Sequence, residues 1–266
     1  MTSAAAQRRS VLLLHDQLQD AQVFGKLAST VEEYATAHTV RVPPLPEFGA
    51  PAWADHIGGH ARKAVVDGTV PRPVDLVVTV GHAGEAGIAL VADDYARAAL
   101  LINPDTMVLG DDVAPGEQSK DTSERVRMYF LGIGVYAESA TGGRMSRDGV
   151  ETLVVAALEK VDRLTDADRK LVRRVAVEQM CATMPLRKEQ LQRRSTHDTS
   201  WIEQAKLIAG RCSVALSASG GRQDQLRKAL RRTAPEVDVL MLHSASWYVW
   251  LSSPETVSTV IHDLLA

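Results

Sequence analysis

The segment Val80-Gly81-His82-Ala83-Gly84-Glu85 sets an imidazole and a carboxylate three residues apart among small neighbours. Histidine titrates near neutral pH and a carboxylate can share a proton with it, so His82 and Glu85 are candidate proton handlers. Ala83, between them, carries no nucleophilic atom, and no acyl or alkyl intermediate can form on it. A second group, His15-Asp16-Gln17, follows the apolar run Val11 to Leu14. A third is aromatic: Trp247, Tyr248 and Trp250 stand close together near the C-terminal end. Each group has a structural reading beside the chemical one. His15 and His82 read first as buried histidines satisfied by hydrogen bonds, ahead of a catalytic role. Glu85 suits the positive end of a helix dipole, and the aromatic residues suit a plain core.

The elements that would position these groups follow from hydrophobic periodicity. Val11 to Leu14, Leu76 to Val80, Ala99 to Ile102 and Ser213 to Ser217 are short, branched, apolar runs of the kind buried on both faces of a parallel sheet. Val237 to Leu242 adds a fifth strand and Thr39 to Val42 a weaker sixth. Helical patterns run over Ala21 to Ala37, Trp53 to Asp67, Gly84 to Ala96, Gln223 to Arg232 and Pro254 to Leu265. Strand alternating with helix predicts a parallel sheet covered on both sides. From about Met107 to Gly210 the alternation stops and the pattern reads as loop, then helices. An insertion there would cap the carboxyl edge of the sheet, where open α/β sheets bind their ligands.

Three segments in order resemble the α/β-hydrolase family. Leu12-Leu13-Leu14-His15-Asp16 is similar to the strand ending in His-Gly ahead of the oxyanion loop, with Asp16 in place of Gly. Pro43-Pro44-Leu45-Pro46-Glu47-Phe48-Gly49 is similar to the family's Pro-Asp-Leu-Pro-Gly-Phe-Gly turn. Gly81 to Glu85 follows a strand and opens a helix as the G-x-S-x-G nucleophile elbow does, with Ala83 at the serine position and Glu85 at the second glycine. Counted back from Pro254, Trp247 occupies the position of the family's histidine. The acid position after Ser217 falls on Gln223, with Asp224 one residue late. The resemblance therefore implies an α/β-hydrolase fold, with a mostly parallel central sheet flanked by helices and a triad that has been erased. Residues 1–105 and 211–266 would form the core, and 106–210 a helical cap inserted after the middle strands. An engineered serine-to-alanine change at 83 is disfavoured, because a substrate trap keeps its histidine.

Composition narrows the partners. The chain has 266 residues, 45% of them apolar, and a net charge of -3 with dispersed basic residues, which gives no footprint for nucleic acid. Its apolar runs are too short for a signal peptide or a membrane span. Cys181 and Cys212 lack metal-ligand spacing and read as reduced thiols of a cytoplasmic protein. No metal and no cofactor is implied. The preference for Ala, Val and Arg over Lys, Ile and Asn suits a GC-rich bacterial genome.

The resulting expectation is a non-hydrolytic enzyme of bacterial secondary metabolism that cyclises or rearranges a polyketide-like substrate, by pericyclic closure among other routes. An apolar pocket would do this by holding a flexible chain in a reactive conformer. Ala83, Trp247, Tyr248 and the cap aromatics Tyr129 and Tyr136 would line that pocket, beside His15 and Asp16. Backbone N–H groups of Gly84 and Gln17 would orient a substrate carbonyl, with His82 or Glu85 moving protons. Two rivals stand beside it: a ligand-binding or partner protein without turnover, and a hydrolase whose water is activated by Asp105, His15 or Glu85. A homodimer is compatible with all three.

Overall fold

The computed structural model describes residues 8–16, 19–44, 50–104, 146–158, 164–182, 200–217, 221–244 and 248–266. Among these residues six strands form one sheet: β1 (Ser10–Leu14), β2 (Thr36–Thr39), β3 (Val74–Val80), β4 (Ala96–Ile102), β5 (Cys212–Ser217) and β6 (Asp238–Leu242). Their order is β2-β1-β3-β4-β5-β6 and every pairing is parallel. Alternation along each strand sorts the apolar residues into two layers. Val11, Leu13, Val78, Val80 and Ile102 enter one layer, while Leu12, Leu14, Val77, Ala99 and Leu101 enter the other.

The helices divide between the two faces accordingly. The first layer is closed by α1 (Gly25–Val31), α4 (Arg147–Leu158), α5 (Asp166–Ala182), α8 (Val249–Ser252) and α9 (Pro254–Leu265), with Phe24, Leu27, Trp250 and Ile261 fully buried. The second is closed by α2 (Ala50–Val66), α3 (Gly84–Ala92), α6 (Ser200–Leu207) and α7 (Gly221–Thr233), around Trp53, Ile57, Leu90 and Leu230. Burying each such side chain contributes about 1.5–3 kcal/mol. Helix α3 lies close on β3 because Gly87 has no side chain: a Cβ there would come within 2.6 Å of Thr79 Cγ2.

Three elements differ from expectation, one of them α3, which ends at Ala92 while Ala96 already opens β4. The helical pattern from Ala21 does not run to Ala37. It is a 3-10 turn over Ala21–Phe24, capped by Asp20 Oδ1 accepting from Gln22 N at 2.7 Å, followed by α1, which stops at Val31. The next strand comes earlier than expected, at Thr36–Thr39 instead of Thr39 to Val42. Among the described residues β2 is the sheet's edge and pairs on one side only, so its Thr-Ala-His-Thr sequence has no need of an apolar run.

The topology places one special crevice. The chain leaves β1 for β2 on one side, then crosses back to β3 on the other, so β1 and β3 are neighbours whose following connections diverge. Open parallel sheets bind ligands outside the carboxyl ends of strands at such a switch point. The residues that follow β1 and β3 here are His15-Asp16 and Gly81-His82. Among the described residues, no helix is long and apolar enough to cross a membrane.

Candidate functional site

At the end of β3 the backbone turns sharply. Gly81 has φ +56° and opens a three-residue 3-10 turn, Gly81–Ala83, that leads into α3. An L side chain is disfavoured at that φ, and here it is also blocked: a Cβ on Gly81 would lie 2.2 Å from Asp16 Oδ2 and 2.6 Å from Asp16 Cγ. The carboxylate of Asp16, reaching across from β1, thus fills the space into which a side chain at the turn would project.

That carboxylate is held by the residue after the turn. His82 donates its backbone N–H to Asp16 Oδ1 at 3.2 Å, and its ring Nδ1 lies 2.6 Å from the same oxygen. Both side chains are buried, His82 4% and Asp16 11% exposed. With a carboxylate at Nδ1, the neutral ring carries its hydrogen there and presents a lone pair at Nε2. The pair is a carboxylate–imidazole dyad of the kind that stabilises an imidazolium once the ring takes a proton.

The main chain of Asp16 is equally fixed. Its carbonyl accepts from Gln19 N at 3.0 Å and lies 2.9 Å from His15 Nδ1. A carbonyl only accepts, so His15 carries its hydrogen on Nδ1. Burial pulls the His15 pKa below its usual value, against the opposing pull of the Asp16 carbonyl and the Asp20 and Asp16 charges. The ring is neutral, and its Nε2 has no hydrogen-bond partner among the described residues. His15 also rests against Trp53, with ring centroids 5.5 Å apart, and Trp53 Nε1 donates to the His15 carbonyl at 3.1 Å. Helix α2 therefore locks the loop that carries Asp16.

Tyr248 completes the described polar set. It is buried against Trp250, ring centroids 5.7 Å apart, and burial together with the Asp16 charge pushes its phenol pKa upward, so it stays a neutral donor. Glu85 stands half-buried in the first turn of α3, where the helix dipole favours its charge. Gln17, Asp105, Tyr129, Tyr136 and Trp247 lie outside the described residues.

Three expectations are corrected. The left-handed residue of the turn is Gly81, two residues before Ala83. Ala83 has ordinary right-handed angles, φ −79° and ψ −2°, and is fully buried in the same apolar layer as Trp53 and Ile57. The extra 3-10 turn between strand and helix shifts the register, which a match to G-x-S-x-G cannot reveal. Second, the N–H of Gly84 is taken up by Gly81 O within the turn, and it is the His82 N–H that meets a carboxylate oxygen. Third, Gln223 and Asp224 fall inside α7, where Asp224 pairs with Arg227 at 2.9 Å in its first turns and is more than half exposed.

The partnership of Asp16 with His82 spans 66 residues, and no local pattern could have exposed it. A further buried group escaped the sequence reading. Asn103, φ +43°, follows β4 and ties it to β5, donating Nδ2 to Ser217 Oγ at 2.7 Å and accepting Ser217 N–H on Oδ1 at 2.8 Å. The signal available was an Asn-Pro pair directly after an apolar strand.

No protein-family model matches the chain, and no curated protein matches it in sequence. Solved structures do resemble it. One, described as recognising and cleaving the ring of the Pseudomonas quinolone signal, is similar with a TM-score of 0.63 at 13% identity, covering 97% of this chain and 91% of its own. A haloalkane dehalogenase loop variant from Bradyrhizobium elkanii gives 0.61 at 12% identity, covering 99% and 90%. The enol-lactonase from Burkholderia xenovorans LB400 gives 0.60 at 13% identity, covering 99% and 93%. At such identities the likeness is one of architecture, and it agrees with the parallel sheet, its helices and its switch point: the chain has the α/β-hydrolase fold.

Proposed function

We propose that this chain is an enzyme that moves a proton on an apolar, carbonyl-bearing small molecule and thereby cyclises or rearranges it, without a serine nucleophile. The supporting observation is the buried His82–Asp16 pair at the switch point, beside a turn residue, Gly81, that has no side chain. Neither Gly81 nor Ala83 offers a nucleophilic atom, and the carboxylate of Asp16 occupies the place where one would stand.

In this reading the substrate's acidic C–H bond breaks, its proton passes to His82 Nε2, and the electron pair delocalises onto the adjacent carbonyl oxygen. Asp16 stabilises the imidazolium through Nδ1–H, and Tyr248, kept protonated, supplies a donor within reach of the Asp16 charge. The carbanion equivalent then either attacks a second carbonyl carbon of the same molecule, whose C=O π pair becomes an alkoxide that takes the proton back from His82 Nε2, or is reprotonated by His82 at another carbon. A positioned base contributes about 10²–10⁴-fold to such a step. A fold neighbour described as cleaving the ring of a quinolone signal supports ring chemistry within this scaffold.

The test incubates the purified chain with a panel of apolar β-diketones in D2O and follows deuterium uptake and cyclised products by mass spectrometry. A fluorophosphonate probe is run in parallel to detect an activated serine. Catalysed exchange that His82→Ala abolishes, with no probe labelling, is expected. Stoichiometric labelling of a serine would overturn the reading, as would His82-dependent ester hydrolysis without exchange. Saturable ligand binding with no exchange would make the chain a binding protein.

A further inference from the structure

A second feature lies where α4 and α5 pack through Val150, Val154, Val172 and Ala176. Beside that seam runs an open groove of about 250 Å³ lined by Arg147, Glu151, Lys170, Arg173, Arg174 and Val177. Four cations thus face one carboxylate on a chain whose net charge is -3. Arg173 pairs with Glu151, and Arg174 donates to Gln22 Oε1. Among the described residues, Arg147 and Lys170 have no ion pair.

Helix stability does not account for this placement. Lys170 stands three and four residues before Arg173 and Arg174, and like charges at those spacings destabilise a helix. Arg147 is the first residue of α4, the end at which the dipole disfavours a cation. A multiply charged anion in the groove would relieve both. Arginine forks suit phosphate oxygens bidentately. The volume falls below the 300–1,000 Å³ usual for whole ligands, which suits a charged head group with the remainder of the molecule outside.

We propose that the groove between α4 and α5 is an anion site that takes the phosphate or diphosphate group of a small-molecule ligand. Its occupancy is independent of the chemistry assigned to His82 and Asp16.

The full chain is titrated calorimetrically with inorganic pyrophosphate and, separately, with inorganic phosphate, at low and at physiological salt. Saturable binding, tighter for pyrophosphate, is expected. Arg147→Glu or Lys170→Glu should each weaken it by about tenfold or more. Glu151→Gln should strengthen it, and Arg231→Glu, on the distant helix α7, should leave it unchanged. Circular dichroism of every variant keeps a folding defect distinct from a lost site. Absence of saturable pyrophosphate binding would overturn the proposal, as would equal weakening by Arg231→Glu. Binding of a polyglutamate peptide without binding of pyrophosphate would also overturn it, by assigning the surface to an acidic protein.

Discussion

Buried polar side chains tie the carboxyl ends of β4 and β5 and those of β1 and β3, and the two ties differ in kind. At β4 and β5, Asn103 and Ser217 exchange two hydrogen bonds, and Asn103 N adds a third to Ala215 O at 2.9 Å. At β1 and β3, His82 gives two donors to one oxygen of Asp16. Both places use a left-handed residue, Asn103 in one and Gly81 in the other. An amide and a hydroxyl neither take up nor release a proton near neutral pH, whereas an imidazole does, and a carboxylate beside it stabilises the charged ring. Parallel strand ends can therefore be tied by either chemistry, but only the β1–β3 tie can also move a proton.

The widest separation between the two ties is in activity. His82→Ala should lower catalysed exchange about 10²–10⁴-fold, while Asn103→Ala leaves turnover per folded molecule unchanged. Single-turnover mass spectrometry on both variants reads the difference, and equal losses would erase the contrast. Asp16→Asn, nearly isosteric, should follow His82→Ala, because the amide cannot neutralise the imidazolium.

The next effect concerns the space at the β3 turn. Gly81→Ala incurs the left-handed cost of about 1–2 kcal/mol and must also push Asp16 off its donors, so urea unfolding should show a loss of about 3 kcal/mol. In an Asp16→Gly background the same change should cost about 1–2 kcal/mol less, a coupling within the range expected for side chains in contact. Additive losses would mean that the carboxylate is not what fills the turn.

The strands that carry both ties were legible because parallel strands buried on two faces must be apolar throughout. Leu76 to Val80 and Ser213 to Ser217 read directly from their residues and lie within the observed strands Val74–Val80 and Cys212–Ser217. β2 was misplaced for the converse reason, since an edge strand with half-buried residues carries no such run. His15, Asp16 and His82 were picked out as residue types, but the Asp16–His82 contact depends on the β1–β3 register, which pairs Leu14 with Thr79 and so brings their successors together. The position of the turn depends on a backbone angle at Gly81. Neither register nor angle is encoded in local composition, and Asn103 was missed because a single amide after a strand resembles any loop residue.

At the β4–β5 tie, Asn103→Ala removes the acceptor of a buried Ser217 N–H and should cost about 2 kcal/mol. Asn103→Gly keeps the left-handed angle and loses the same bonds. A similar loss in both variants, by thermal or urea unfolding, would assign the effect to the hydrogen bonds. A stable glycine variant would assign it to backbone strain and leave the clamp with little energetic role.

The smallest effect is the acid sensitivity of the β1–β3 edge, and its sign follows from His15. Burial keeps that ring neutral in the folded chain, with a pKa below the usual 6.5, while the unfolded chain takes a proton at 6.5. Above that pH the two states bind alike and His15 adds no slope. Below it the unfolded state binds more protons, so stability falls by about 1.4 kcal/mol for each pH unit until the folded pKa is reached. Asp168 acts at lower pH: burial opposes its ionisation, but Lys26 at 2.7 Å and Thr165 outweigh that and hold its carboxyl below 3.8, so its contribution is lost only as pH falls through that range. His38 and His60 are also drawn downward, mainly by burial, and share the upper window. Urea unfolding of His15→Gln between about pH 5 and 7 should flatten the slope by close to one proton, and the His38→Gln and His60→Gln variants by less, since both rings are much less buried. An unchanged slope in His15→Gln would mean that the ring is charged where it sits, and the neutral core behind the dyad would have to be abandoned.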